Sequence, residues 1–201
     1  MTHEYLKESK WNAELDLYRI EDIYNSVSHN QIASKTWLAE CAAPFIMDED
    51  KMCILGSWYG VLTYILRQHR VNCEIDNIDT DEPAKEIAEK LIQEPPGLTN
   101  YYYMDGAERY LDSKKWYTVI CTTSTEHFEE DDWELITRSR PEETLFIAQS
   151  NNNTSELEHI NCHESCDHLA ESMRISNIYY QESKEFKGVE GSYLRHLVIG
   201  K

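Results

Sequence analysis

The chain has 201 residues, 41% of them hydrophobic, with 5 tryptophans and 13 tyrosines, which suits one domain with a buried core rather than a disordered chain. A formal net charge of −18, with no basic cluster longer than Lys114-Lys115, repels phosphate backbones, so nucleic acid is disfavoured and a small-molecule or protein partner is expected. No run of 18 apolar residues occurs and the start, Met1-Thr2-His3-Glu4-Tyr5, is polar, so membrane-spanning, secretory and transit readings fail and a cytoplasmic protein is expected.

Residues 1–47 read as a helical cap. Trp11, Leu15, Tyr18, Ile23, Tyr24 and Val27 fall at helical spacing, and Ile32, Trp37, Leu38, Cys41 and Phe45 mark a second helix ended near Pro44. Lys35 and Trp37 could reach a ligand from this cap, although a tryptophan such as Trp37 is more often simply core.

From Lys51 the pattern alternates strand and helix, and residues 48–201 read as the core of the same single domain. Met52–Leu55 is the first strand, followed by a helix over Val61–His69 with Leu62, Ile65 and Leu66 inward. Val71–Ile78 is the second strand, and Pro83 opens a helix carrying Ala84, Ile87, Ala88 and Leu91 on one face. After the break at Pro95-Pro96-Gly97 come strands over Tyr101–Met104, Tyr117–Thr122 and Thr144–Gln149, with a short helix, Asp132–Arg138, between the last two. The acidic run Glu129-Glu130-Asp131-Asp132 is most simply a solvated helix start. A long helix from about Ser155 to Met173 then precedes two strands, Ile175–Gln181 and Tyr193–Ile199, joined as a hairpin through Gly188 and Gly191. The fold class is α/β, a doubly wound, seven-stranded, mostly parallel sheet ending in an antiparallel hairpin.

Ligands bind such sheets at the carboxyl ends of the strands, and four strand ends carry chemistry. Gly56-Ser57-Trp58-Tyr59-Gly60 joins a buried strand to a helix, although an ordinary βα turn also uses glycine this way. Asp79 lies 23 residues after Gly56, at about the separation that suits a carboxylate accepting from a ribose diol. Asp81, just before Pro83, is better read as a helix N-cap. Asp105-Gly106 follows the third strand, where an acid can accept from an exocyclic amine or simply make a turn. Thr122-Thr123-Ser124-Thr125-Glu126-His127 puts hydroxyls, a carboxylate and an imidazole at the sheet mouth, with Glu126 and His127 able to orient a substrate or accept its proton.

These four stretches together resemble class I S-adenosylmethionine-dependent methyltransferases over about residues 50–200, and the resemblance implies a Rossmann-like methyltransferase fold. It places Gly56, Ser57, Trp58 and Gly60 along the methionine part of the cofactor, Asp79 at the ribose, Asp105 at the adenine amine, and Thr122, Thr123 and the residues through Glu126 beside the transferred methyl. The chain departs from the family pattern at Ile54, where an acid is usual, and at Trp58, where a small residue is usual. Gly-Ser-Trp-Tyr-Gly, Thr-Ser-Thr-Glu-His and Gln149-Ser150-Asn151 further resemble a set of small methyltransferase-like proteins, often phage-borne.

Catalytic candidates are therefore Glu126 and His127, with Gln149, Asn151 and His159 on the substrate side. The expected reaction is methyl transfer from S-adenosylmethionine to a small molecule. Aminocarboxypropyl transfer, cofactor cleavage and a non-catalytic interaction protein are the alternatives, the last favoured if Trp58 fills the cleft. Of the set His159, Cys162, His163, Cys166 and His168, the first four could share a helix face as metal ligands, but Cys162, Cys166, Leu169 and Met173 also form a core stripe, so no metal is expected. The scattered cysteines read as reduced, with Cys53, Cys73 and Cys121 as small apolar side chains.

Overall fold

Alternating side chains along the strands explain the architecture. In the computed structural model, which describes residues 13–91, 97–103, 107, 117–188 and 191–201 (side chains from residue 19 onward), the strands join one sheet with apolar residues on both faces. On one face Met52 and Ile54, Val119 and Cys121, Leu145 and Ile147, and Leu197 and Ile199 share a core with Leu38, Ala42, Leu62 and Leu66 from two helices. On the other, Cys53 and Leu55, Ile120, Phe146 and Ala148, and Val198 pack on Trp133, Ile136, Leu169 and Met173. A strand period of two thus buries both faces, as expected of a sheet covered by helices on each side.

The strands are β1 (Lys51–Leu55), β2 (Glu74–Asp79), β3 (Thr99–Tyr103), β4 (Val119–Thr122), β5 (Leu145–Asn151), β6 (Ile178–Lys187) and β7 (Ser192–Gly200). Their order is β3-β2-β1-β4-β5-β7-β6. β1 pairs in parallel with β2 and β4, β2 with β3 and β4 with β5, whereas β7 runs antiparallel between β5 and β6. The expected doubly wound, seven-stranded sheet with its closing hairpin is what forms, and its order reverses between β1 and β4, where a crevice opens.

Among the described residues the helices of seven residues or more are α1 (Ala13–Ser26), α2 (His29–Ala42), α3 (Val61–Gln68), α4 (Glu82–Leu91), α5 (Glu130–Ser139) and α6 (Cys166–Ser172). α2 ends in a 3-10 turn, Ala43–Phe45, that contains Pro44. Trp37 is buried in the core, and Asp81 caps α4 by accepting from Ala84 N–H at 3.1 Å. No disulfide joins any of the six cysteines. Among the described residues no helix is long and apolar enough to cross a membrane.

The long helix expected from Ser155 to Met173 is a correction. Only Cys166–Ser172 is helical, and Ser165 supplies its N-cap by accepting from His168 N–H at 3.1 Å. Upstream, Asn153 Oδ1 accepts from Ser155 Oγ at 2.6 Å, and the N–H groups of Ile160, Asn161 and His163 go to the carbonyls of Glu126 and Asn151. Those backbone donors are thus spent across the fold instead of along a helix.

Two strand starts also shift. Arg70, at φ 63, ends α3 with Val71 N–H on Leu66 O and its own N–H on Arg67 O. Arg174, at φ 53, ends α6 in the same way, with Ile175 N–H on Ala170 O and its own on Glu171 O. Both are left-handed caps of the Schellman kind. The residues after them finish a helix, so β2 starts at Glu74 rather than Val71 and β6 at Ile178 rather than Ile175.

Candidate functional site

The turn after β1 is shaped by three left-handed residues, Gly56 (φ 66), Trp58 (φ 50) and Gly60 (φ 71). Gly56 is needed twice over, since a Cβ there would stand 2.5 Å from Ser124 Oγ in the turn after β4. The missing Cβ lets the two turns flanking the crevice close on each other. Trp58 keeps the backbone conformation a glycine would have, and its N–H donates to Asp79 Oδ2 at 2.6 Å.

Asp79, the last residue of β2, also accepts from Asp81 N–H through Oδ1 at 2.9 Å. Burial raises its carboxyl above the ordinary value, and the Asp81 and Trp58 N–H groups pull the other way. These backbone bonds fix the carboxylate at the mouth of the crevice.

These strand ends enclose a cleft of about 660 Å³, within the usual range of small-molecule sites. Gly56, Ser57, Trp58, Asp79, Thr123, Ser124, Glu126 and His127 form its walls, and Glu21, Asp22, Gln31 and Lys35 of the helical cap roof it. A side slot of about 260 Å³ shares Gly56, Asp79, Ser124 and His127 with the cleft and adds the apolar Ile78, Ala107 and Phe128. An outer cavity of about 880 Å³ shares Trp58, Glu126, His127 and Arg195, and reaches His159 and Tyr193.

Trp58 does not plug the cleft. Its indole N–H donates to Asp22 Oδ2 on α1 at 3.2 Å, and the Tyr59 hydroxyl donates to the same oxygen at 2.6 Å. Arg19 completes this corner by donating to Asp81 Oδ2 at 2.5 Å. The aromatic pair therefore ties the cap to the turn after β1.

The floor carries buried charge. Arg195 Nη2 lies 3.3 Å from Glu126 Oε1, with both side chains almost fully buried. Asn151 Nδ2 donates to the same oxygen at 2.6 Å, and Arg195 Nη1 donates to Thr123 O at 3.3 Å. Lys35 is buried beside them and donates to Gln31 Oε1. Burial, and then the charge of Arg195, push its ammonium down to about 7 against the pull of Glu126.

Of the residues expected from sequence, Gly56, Ser57, Trp58, Asp79, Thr123, Glu126 and His127 meet in the cleft. Gly60, Thr122, Gln149 and Asn151 stand behind its wall. Gly60 caps α3; the Thr122 hydroxyl accepts from Ser124 N–H at 3.3 Å; Gln149 Nε2 donates to Ser34 O at 2.9 Å, tying α2 to β5. His159 lines the outer cavity, its ring edge-on to His127 at 4.9 Å between centroids. Asp105 lies outside the described residues.

The five-residue Cys/His set splits once its helix is gone, with His163 and His168 still ring to ring at 4.9 Å between centroids. His163 is wedged between Ser150 Oγ and Ser172 Oγ, each at 2.8 Å, while His159 turns toward Glu126 and His127. Arg195 escaped notice in the sequence, although a signal existed. It occupies the inward parity of β7 shared with Leu197 and Ile199, where a charged residue needs a buried partner.

No family model matches the chain, and no curated protein matches it in sequence. Solved structures do match in fold. A geranyl diphosphate methyltransferase in complex with SAM superposes with TM-score 0.62 at 10% identity, covering 96% of this chain and 92% of that one. The SAM-dependent methyltransferase of Agrobacterium tumefaciens gives 0.59 at 12%, covering 88% of this chain and 64% of its own length. Spermidine synthase of Thermotoga maritima gives 0.59 at 13%, covering 84% and 59%. The chain thus spans less than two thirds of the latter two. At such identities the likeness establishes the Rossmann-like methyltransferase fold, and the narrower resemblance to phage-borne proteins gains no support from it.

Proposed function

We propose that the protein binds S-adenosylmethionine in the crevice between β1 and β4 and transfers its methyl group to a small-molecule acceptor reached through the outer cavity. One observation carries this reading: the ends of β1, β2 and β4 bring Gly56, Asp79 and the Glu126–His127 pair to one cleft, at the reversal point of the sheet.

The residues suit that cofactor. Six carboxylates (Glu21, Asp22, Asp79, Asp81, Glu126 and Glu158) line the cleft against two cations, Lys35 and Arg195, a balance that favours a sulfonium and an ammonium. Asp79, fixed by the Trp58 and Asp81 N–H groups, would hold the ribose hydroxyls, and the slot of Ile78, Ala107 and Phe128 suits a flat base. When bound, S-adenosylmethionine supplies an electrophilic methyl group on sulfur. The protein's contribution is then mainly orientation and exclusion of water. Glu126 is held in one orientation by Asn151 and Arg195, and His127 presents its imidazole at the boundary of cleft and outer cavity, where an acceptor would give up a proton.

Incubation of the protein with S-adenosylmethionine and a protein-free metabolite extract, followed by chromatography, tests this reading. S-adenosylhomocysteine formed with the native chain and not with Asp79→Ala is the expected result. Methylthioadenosine in its place would contradict methyl transfer and favour aminocarboxypropyl transfer or cofactor cleavage. Unconsumed cofactor would contradict the enzyme reading.

A further inference from the structure

We propose that Glu126, His127 and His159 form a binding site for one divalent first-row transition-metal ion, where the cleft meets the outer cavity. The three side chains each bring a ligand-capable atom within 4.8 Å of the others. They come from two separate segments, the turn after β4 and the loop after β5, as metal ligands commonly do.

Two further observations point to a cation. Each imidazole sets its Nδ1 against a backbone carbonyl, His127 on Glu158 O at 3.1 Å and His159 on Asn153 O at 2.7 Å. A carbonyl only accepts, so Nδ1 is the donor in both rings, and in the neutral ring Nε2 is left with the lone pair. This is the arrangement by which neighbouring groups prepare a histidine as a ligand. Glu126 is only 2% exposed; Asn151 and Arg195 occupy its Oε1, and its Oε2 is buried without a hydrogen-bond partner. An orphaned carboxylate oxygen is costly in a protein interior, and a cation beside the two imidazoles would satisfy it.

The placement is fixed by main chain. Ile160 and Asn161 N–H both donate to Glu126 O, at 2.9 and 3.0 Å, so the loop that carries His159 is fastened to the ligating residue itself. Two imidazoles and one carboxylate suit Zn²⁺, Mn²⁺, Fe²⁺ or Co²⁺ better than Ca²⁺ or Mg²⁺, and three protein ligands leave coordination positions open. An acceptor hydroxyl entering such a position would lose its proton more readily. That role rests on the methyl-transfer reading; metal binding does not.

The test uses the metal-stripped full chain without S-adenosylmethionine, titrated with Zn²⁺ by calorimetry and with Co²⁺ by visible absorption. One equivalent should bind, and His127→Gln and His159→Gln should each weaken binding at least about 10-fold with the native circular dichroism retained. His168→Gln, an exposed histidine outside the cluster, should bind as the native chain does. Absence of Zn²⁺ binding to the folded native chain would overturn the proposal. So would native affinity in His127→Gln, or a loss confined to His168→Gln. Because no cofactor is present, failure here is distinguishable from failure of the methyl-transfer reading.

Discussion

Trp58 and Asp22 meet through a single hydrogen bond, indole Nε1 to Oδ2 at 3.2 Å, which fastens the turn after β1 to the helical cap. The same carboxylate oxygen accepts from Tyr59 at 2.6 Å, so one side chain of α1 sets the angle of two aromatic rings. Trp58 thereby becomes a wall of the cleft instead of an obstruction in it.

Removing that anchor should loosen the cleft more than the fold. Bonds to a charged acceptor contribute about 1.5–3 kcal/mol each, but no described side chain of α1 belongs to either core cluster. Asp22→Ala is expected to weaken S-adenosylhomocysteine binding about 10-fold while lowering stability by about 1–2 kcal/mol. Calorimetry and urea unfolding on the same preparation read both. Unchanged affinity alongside a large stability loss would mean that the contact serves the fold alone.

Gly56 gives a second prediction, in which two costs separate. Gly56→Ala places a Cβ 2.5 Å from Ser124 Oγ and puts a side chain at φ 66. The substitution should destabilise by about 2–3 kcal/mol. Adding Ser124→Gly removes the clash and leaves the backbone strain, so the double variant should recover about half of that loss. Additive behaviour of the two substitutions would show that the turns do not touch as described.

A third prediction concerns acid. Burial first, then the charges of His168 and His196, push the His163 imidazole down to about 4 from its ordinary 6.5. Between those values the unfolded chain binds the proton and the folded chain does not. The stability contributed is therefore complete above pH 6.5 and is lost as pH falls toward 4, by up to about 3 kcal/mol. His163→Gln, which carries no titrating group at this position, should show a flatter loss of stability between pH 6.5 and 4.5 in urea unfolding. Equal slopes would contradict a neutral, buried His163.

Much of this architecture could be read from residue patterns because local and global signals agree. Met52–Leu55, Leu145–Ala148 and Leu197–Ile199 are apolar at every position because helices cover both faces, and Pro83 betrays the cap formed by Asp81. Where the patterns mislead, the cause is local chemistry without its usual residue. Arg70 and Arg174 adopt the left-handed cap that glycine normally marks, so the strands after them were expected too early. The four-residue spacing of Cys162 and Cys166 imitates a helix, but Ile160, Asn161 and His163 commit their N–H groups to Glu126 and Asn151. The site was partly legible for the same reason. Strand-end residues announce themselves after apolar runs, whereas the Glu126–Arg195 pair joins positions 69 residues apart and is visible only once β7 lies beside β5.

The central claim is that the crevice between β1 and β4 is a cofactor site held by Asp79. Isothermal titration of the native chain and of Asp79→Ala with S-adenosylhomocysteine tests it most directly. Native binding at one equivalent, with a loss of at least about 10-fold in a folded Asp79→Ala, is the result expected. A folded native chain that binds neither S-adenosylhomocysteine nor S-adenosylmethionine, or an Asp79→Ala variant that binds as tightly as the native chain, would contradict it.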